Sequence, residues 1–434
     1  MSRSPLLPRA PLTRRRFVQT LAAAGVAGPL ILRGASPARA AANERLTLGM
    51  IGVGTMGRSH VGRFLGYPDV QIVAVADVVA ERREHSQRTV EERYAKDQGQ
   101  GTYRGCATYR DFRELLAMPD LDAVLIATPD HWHVIPAILA ARAKKDIYCE
   151  KPLTLTIGEG RRLVNEVRKA DVVFQTGSQQ RTEFGGQFRQ AAELVRSGRI
   201  GKVRTVRVGV GAPPVPCDLA EQPVPKGTDW DLWLGPAPWR GYNEELCPKG
   251  VHKHFPAFRN YREYAGGGLA DMGAHHFDIA QWALDMDTSG PVKIEPPTGD
   301  ATSGLKFTYA NGVEMFHGGP SGCTFEGELG TLYVDRGKLE STPASIVQTP
   351  LGESDVRLYH ADDHGRDWLD SIKARKPPAC DVETGHRSAT VCHLANLGYQ
   401  LRRPLTWDPV QERFAGDDEA NALLNRVPRD PWKI

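Results

Sequence analysis

Residues 49–57 read GMIGVGTMG, and glycines 52, 54 and 57 fit the spacing G-x-G-x-x-G. The chemistry that spacing serves is pyrophosphate binding. Gly52 lets the chain turn, Gly54 admits a close ligand, and Gly57 lets the following helix pack on the strand. Thr55 and Met56 fall at the helix start, where free N–H groups and the helix dipole favour negative charge. The next strand-like run, VQIVAVAD, ends in Asp77, 20 residues past Gly57. A carboxylate there accepts both ribose hydroxyls of adenosine and repels a 2′-phosphate. The expected cofactor is therefore NAD. NADP is the alternative, with Arg82 and Arg83 either receiving a phosphate or simply solvating the helix.

These residues need a sheet to hold them. LTLGMIGVG (46–54) reads as a strand and the stretch to about Leu65 as a helix. DAVLIATP (122–129), DIYCEKP (146–152) and VVFQTG (172–177) are further strands, separated by helices at 131–144 and 158–170. Such alternation predicts a parallel, doubly wound sheet of the Rossmann kind, whose ligands bind beyond the strands' carboxyl ends. Those ends carry TPDHWH, EKP and TGSQQR, which place Thr128, His131, His133, Glu150 and Lys151 beside the cofactor. His131 and His133 either face the nicotinamide or cap a helix.

From about Val203 the pattern changes. A strand-like VRTVRVGV leads into a loop rich in Pro and Trp, then a glycine-rich segment and helix at 266–285. LKFTYANGVEMF (305–316) carries an Asn-Gly hairpin turn, and GTLYVD and GKLE follow as strands. The fold expected is thus α/β plus α+β, with an open-faced, mainly antiparallel sheet after the Rossmann domain. Two late helices, about 363–375 and 383–402, return toward the first domain. The boundaries read as a leader at 1–40, a cofactor domain at 45–177, a substrate and oligomerisation domain at 178–410, and a tail at 411–434. Asp271 and His275, at spacing i, i+4, share one helix face.

The chain has 434 residues and a formal charge of +3. Seven arginines and no acid lie in the first 40 residues, so the remainder holds 48 bases against 52 acids. Nucleic-acid binding loses its electrostatic support. The leader's apolar run LAAAGVAGPLIL spans about 18 Å as a helix, short of a bilayer core of about 30 Å, so no stable membrane anchor is expected. Thr13-Arg14-Arg15-Arg16-Phe17-Val18-Gln19 resembles a twin-arginine signal, with a general secretory signal as the alternative. It implies the twin-arginine export machinery as a partner and a periplasmic or otherwise extracytoplasmic location. The seven cysteines form no CxxC pair, and no metal-ligand spacing is present.

CEKPLTLT (149–156), GGGLADMGAHHFDIAQW (266–282) and GMIGVGTMG together resemble the Gfo/Idh/MocA oxidoreductases, over roughly residues 45–410. The resemblance implies NAD(P)-linked oxidation of sugar or cyclitol hydroxyls, and a homo-oligomer, dimer or tetramer, built on the open sheet. It also implies that Lys151 is the catalytic lysine and that Asp271 and His275 are the acid and histidine of the site. The chemistry agrees. A hydroxyl that loses hydride needs a base for its proton and a cation for its oxygen. His275 can serve as the base and Lys151 as the cation, with Asp271 orienting the imidazole or touching the sugar. Gln180, Arg181, Trp230, Trp233 and His276 are further substrate candidates, although a Trp in that loop could equally hold the loop down. An exported enzyme meets no soluble nicotinamide pool, so the cofactor must be tightly bound and restored on each turnover. Paired sugar oxidoreduction does this. So does the chemistry of the NAD-dependent α-N-acetylgalactosaminidases, in which transient oxidation permits elimination and hydration. An inactive sugar-binding protein is the alternative of another class.

Overall fold

The computed structural model describes residues 45–97 and 105–434; the predicted leader lies outside them. Six strands form the first sheet: β1 (Leu46–Ile51), β2 (Val70–Ala76), β3 (Ala107–Tyr109), β4 (Ala123–Ile126), β5 (Asp146–Cys149) and β6 (Phe174–Thr176). Their order is β3-β2-β1-β4-β5-β6 and every pair is parallel. The order reverses between β1 and β4, which opens a crevice beyond their carboxyl ends. Alternation along the strands feeds both faces. Val124 and Ile126 join a core with the helices Val134–Arg142 and Ile157–Ala170. Leu125, Leu48 and Met50 face the other way, against Val61, Phe64 and Trp368. Trp368 comes from the late helix His364–Ala374, so a segment far along the chain covers the first sheet.

The second sheet holds β7 (Val203–Gly209), β8 (Lys293–Glu295), β9 (Lys306–Thr308), β10 (Glu314–Gly327), β11 (Thr331–Asp335), β12 (Lys338–Thr342), β13 (Leu405–Asp408) and β14 (Arg413–Phe414). All of its pairings are antiparallel. The predicted Asn-Gly turn joins β9 to β10, with Gly312 at φ +85°. The long β10 pairs with β9, β7 and β11, and its register on β7 shifts around His317–Gly322. The helices Gln187–Arg196, Gly267–Ala283 and Val382–Leu401 share a core with this sheet. The helix Gly267–Ala283 is buried on nearly every side, as a helix enclosed by other elements must be. Residues 411–434 are more than a tail. They supply β14 and the helix Asp418–Ala422, and the Trp432 ring meets Trp132 of the first domain edge-on at 4.7 Å.

Trp368 is fully buried between the first sheet and its covering helix. Trp368→Ala should therefore cost about 3–5 kcal/mol, read as a lower urea midpoint with the slope unchanged.

Candidate active site

The glycine turn fits a dinucleotide by exclusion. A Cβ on Gly57 would lie 2.0 Å from the Gly52 carbonyl oxygen, and one on Gly52 would lie 2.8 Å from that of Ala127. Gly52 also sits at φ +80°, where a side chain is strained. Around Gly54 the space is open for 4 Å, at the N-terminus of a ten-residue helix that no side chain caps. That opening is where a pyrophosphate can approach the free N–H groups. Asp77 Oδ2 accepts from Val53 N and Oδ1 from Val79 N, each at 2.9 Å, which fixes the carboxylate beside the groove. Arg82 donates through Nε to Gly250 O at 3.0 Å and also bonds Pro248 O, while Arg83 donates to Asp77 O at 3.0 Å.

The groove runs from Asp77 past Met56 and Thr128 into a second cleft of about 500 Å³, where Lys151, Asp271 and His275 meet. Lys151 lies two residues past the end of β5, and Asp271 and His275 lie one turn apart on the helix Gly267–Ala283. Lys151 Nζ donates to Asp271 Oδ1 at 2.7 Å and to Asp271 O at 2.9 Å. An ammonium has three N–H bonds, so one remains for a ligand. The expectation that Asp271 orients His275 is corrected here. Its carboxylate takes Lys151, with Arg259 Nε at 3.7 Å, and His275 Nδ1 has no partner among the described residues. Cations compete better for a carboxylate than a neutral imidazole does. Burial pushes the Asp271 carboxyl up, but Lys151, Arg259 and Arg336 outweigh it and hold it below its usual range. Burial, then Lys151 and Arg336, drive His275 well below the ordinary imidazole range, so its neutral form prevails.

Glu150 stands behind the lysine. His60 Nε2 lies 2.7 Å from Glu150 Oε1, Gln179 donates to the same oxygen at 2.9 Å, and Lys151 N approaches Oε2 at 3.2 Å. These contacts keep a fully buried carboxylate ionised despite its burial. His133 braces the same segment, its ring nitrogens 2.7 Å from Pro152 O and 2.8 Å from Thr128 O.

Several expected ligand residues lie elsewhere. His131 is buried against Trp233 and Tyr264, and burial lowers it to about 3; neither it nor His133 lines the cleft. Trp230 and Trp233 stack 4.7 Å apart, and Trp233 lines the cofactor groove rather than the cleft. His276 is wholly buried beneath the second sheet. Arg181 forks onto Asp278 and Asp287 at 2.7–2.9 Å, and Ser388 also donates to Asp278. Gln180 is buried, and its neighbour Gln179 faces the cleft. The cleft also holds groups that sequence reasoning missed: Asp130, Arg259, Arg336, Phe184 and Phe255. Asp130 was within reach, as the acid of TPDHWH at a strand end. Burial, then Asp271, push its carboxyl up to about 7. Among the described residues no group of three or more His, Cys, Asp or Glu could hold a metal ion.

Residues 46–178 match the family model "Oxidoreductase family, NAD-binding Rossmann fold", and residues 215–434 match "Oxidoreductase family, C-terminal alpha/beta domain". The chain belongs to the Gfo/Idh/MocA oxidoreductase family. It is 23% identical over 390 residues to a myo-inositol 2-dehydrogenase of Thermotoga maritima, covering 84% of this chain and 99% of that one. It is 31% identical over 371 residues to a glycosyl hydrolase family 109 protein of Saccharopolyspora erythraea, covering 80% and 77%. Among solved structures, an aldose-aldose oxidoreductase of Caulobacter crescentus, complexed with glycerol, superposes with a TM-score of 0.57 at 18% identity, over 83% of this chain and 99% of that one.

Two outcomes follow for this family member. Gly57→Val drives a side chain into the Gly52 carbonyl and should abolish nicotinamide binding, measured by fluorescence titration. The buried histidines set the acid stability. Burial lowers His131 to about 3 and His276, His364 and His393 to about 4. Between pH 6.5 and 4 the unfolded chain therefore binds protons that the folded one refuses. Stability should fall with pH across that window, by about 1.4 kcal/mol per pH unit for each such histidine. Asp130 works in the opposite sense over the same range. Urea midpoints measured from pH 7 to 4 check the net decline.

Proposed function

We propose that this chain is an exported, NAD-containing oxidoreductase that acts on a sugar or cyclitol hydroxyl. The observation that carries the reading is the meeting of Lys151, Asp271 and the neutral His275 in a cleft continuous with the glycine groove. Bound nicotinamide would supply a hydride acceptor and donor at the junction of groove and cleft. His275 takes the hydroxyl proton. Lys151 uses its remaining N–H on the substrate oxygen as negative charge grows there, and Asp271 keeps the ammonium from turning away. NAD fits better than NADP, because Arg82 and Arg83 spend donors on backbone carbonyls while Asp77 faces the groove.

Export supports tight retention of the cofactor. A twin-arginine route carries folded proteins, and an extracytoplasmic enzyme must regenerate its cofactor on the spot. Paired oxidation and reduction of two sugars at one site meets that need. The 31% identity to a glycosyl hydrolase family 109 protein favours a second reading. There a hydroxyl becomes a ketone, the neighbouring C–H is acidified, and the glycosidic substituent is eliminated. Water then adds and the ketone is reduced again, with no net redox change.

Lys151→Met should lower turnover by about 10²-fold or more with nicotinamide still co-purifying; unchanged turnover defeats the assigned roles. Hydrolysis of nitrophenyl glycosides without net NADH would favour the second reading, and sugar-dependent reduction of a carbonyl sugar the first. A periplasmic form beginning after Ala40, seen by intact mass, tests export.

A further inference from the structure

One cation in the cleft has no counter-charge in the protein. Arg63 pairs with Glu183 at 2.5 Å, Lys151 with Asp271 at 2.7 Å, and Glu150 with His60 at 2.7 Å, while Arg259 lies 3.7 Å from Asp271. Burial, then Asp271, push the Asp130 carboxyl up to about 7, which weakens it as a counter-charge. Arg336 lines the mouth of the same cleft and is exposed to solvent, and among the described residues its guanidinium has neither an ion pair nor a hydrogen bond. Its charge still reaches the reacting groups, since it helps hold both Asp271 and His275 down.

Arg336 is also held in place. It sits at the turn between β11 and β12, where its backbone N–H donates to Asp335 Oδ1 at 2.8 Å and Gln187 ties down the Asp335 carbonyl. The guanidinium lies 4.9 Å over the Phe184 ring, which lines the cleft as well. Phe184 adopts φ +58°, a left-handed conformation that is strained for a bulky residue. Gly185 and Gly186 follow at φ +67° and +73°. An aromatic ring is thus kept at a strained position, where it supports a guanidinium aimed at the substrate space.

We infer that Arg336 is an anion subsite and that the substrate is a sugar bearing a carboxylate, of the uronate or aldonate kind. The planar guanidinium fork matches the two oxygens of a carboxylate. A phosphate dianion would leave charge that this single fork does not meet. The carboxylate on Arg336 and the apolar face of the sugar on Phe184 then leave a ring hydroxyl to meet Lys151 and His275. The inference rests on the oxidoreductase reading for its substrate class, but it is tested by binding alone.

Calorimetric titration of the full nicotinamide-loaded protein with glucuronate against glucose, galacturonate against galactose, and glucose 6-phosphate separates the cases. At least one uronate should bind about 10-fold or more tightly than its neutral counterpart. Arg336→Gln should bring that ratio to about one, and Arg336→Lys should restore part of it. Equal affinity for neutral and acidic sugars, preference for the phosphate, or no binding by any of the five overturns the subsite. Arg336-dependent uronate binding without hydride transfer from any sugar would instead sink the oxidoreductase reading and leave the subsite standing. Hydride transfer with no charge preference does the reverse.

Discussion

An ammonium from one domain held by a carboxylate of the other is the contact on which this molecule turns. Lys151 lies just beyond a strand of the parallel sheet, and Asp271 belongs to a helix packed on the antiparallel one. Their contact, at 2.7 Å, fixes where the strand ends of the first domain meet the helix of the second. It also sets the electrostatics around it. Burial, then the anchored Lys151 cation, keep His275 neutral, and the same carboxylate draws in Arg259. Without the carboxylate, a half-buried charge would stand unpaired, at a cost far above that of a surface pair.

What could be read from the chain followed from spacing. The glycine triplet, Asp77 and the strand–helix alternation are local patterns, and the backbone places local patterns reliably. The structure sets Gly52, Gly54 and Asp77 along one groove and Lys151 at the end of β5, where the pattern put them. What could not be read depends on side-chain direction. Gln179, Gln180 and Arg181 occupy one 3-10 turn, in which each step rotates the side chain by about 120°. The sequence motif TGSQQR therefore cannot say which residue faces the cleft. Gln179 does, and Arg181 is spent on two aspartates far along the chain. Arg259 and Arg336 come from a short 3-10 turn and a hairpin turn that no local pattern connects to the site.

The histidines show the same limit from another side. His131 and His133 flank a strand end, as ligand residues do, yet both are buried. His131 lies in an aromatic cluster, and the His133 ring sits between the Pro152 and Thr128 carbonyls, donating its single N–H to one of them. Filling that gap is a positioning role, because these carbonyls flank the groove and the lysine. Buried neutral imidazoles exclude water and lower the local dielectric, which strengthens every charge interaction left in the cleft. Glu150 remains ionised against that burial only because His60, Lys151 and Gln179 outweigh it.

Hydride removal from a hydroxyl and its return to a ketone ask the same of the protein: a fixed positive charge at the oxygen and a group that carries one proton. In the proposed mechanism Lys151 on Asp271 would provide the first and His275 the second, so sugar oxidoreduction and redox-neutral glycoside cleavage would place the same demands on these three residues. The distinction must lie in the cleft's outer wall, where Phe184, Phe255 and Arg336 face the ligand from turns and loops. Such segments tolerate change more readily than the strands and the helix beneath them. A reacting centre on a strand end and a helix, under a rim built from turns, separates the chemistry from the choice of ligand, and under the reading proposed above the charge on that rim would decide which sugar enters.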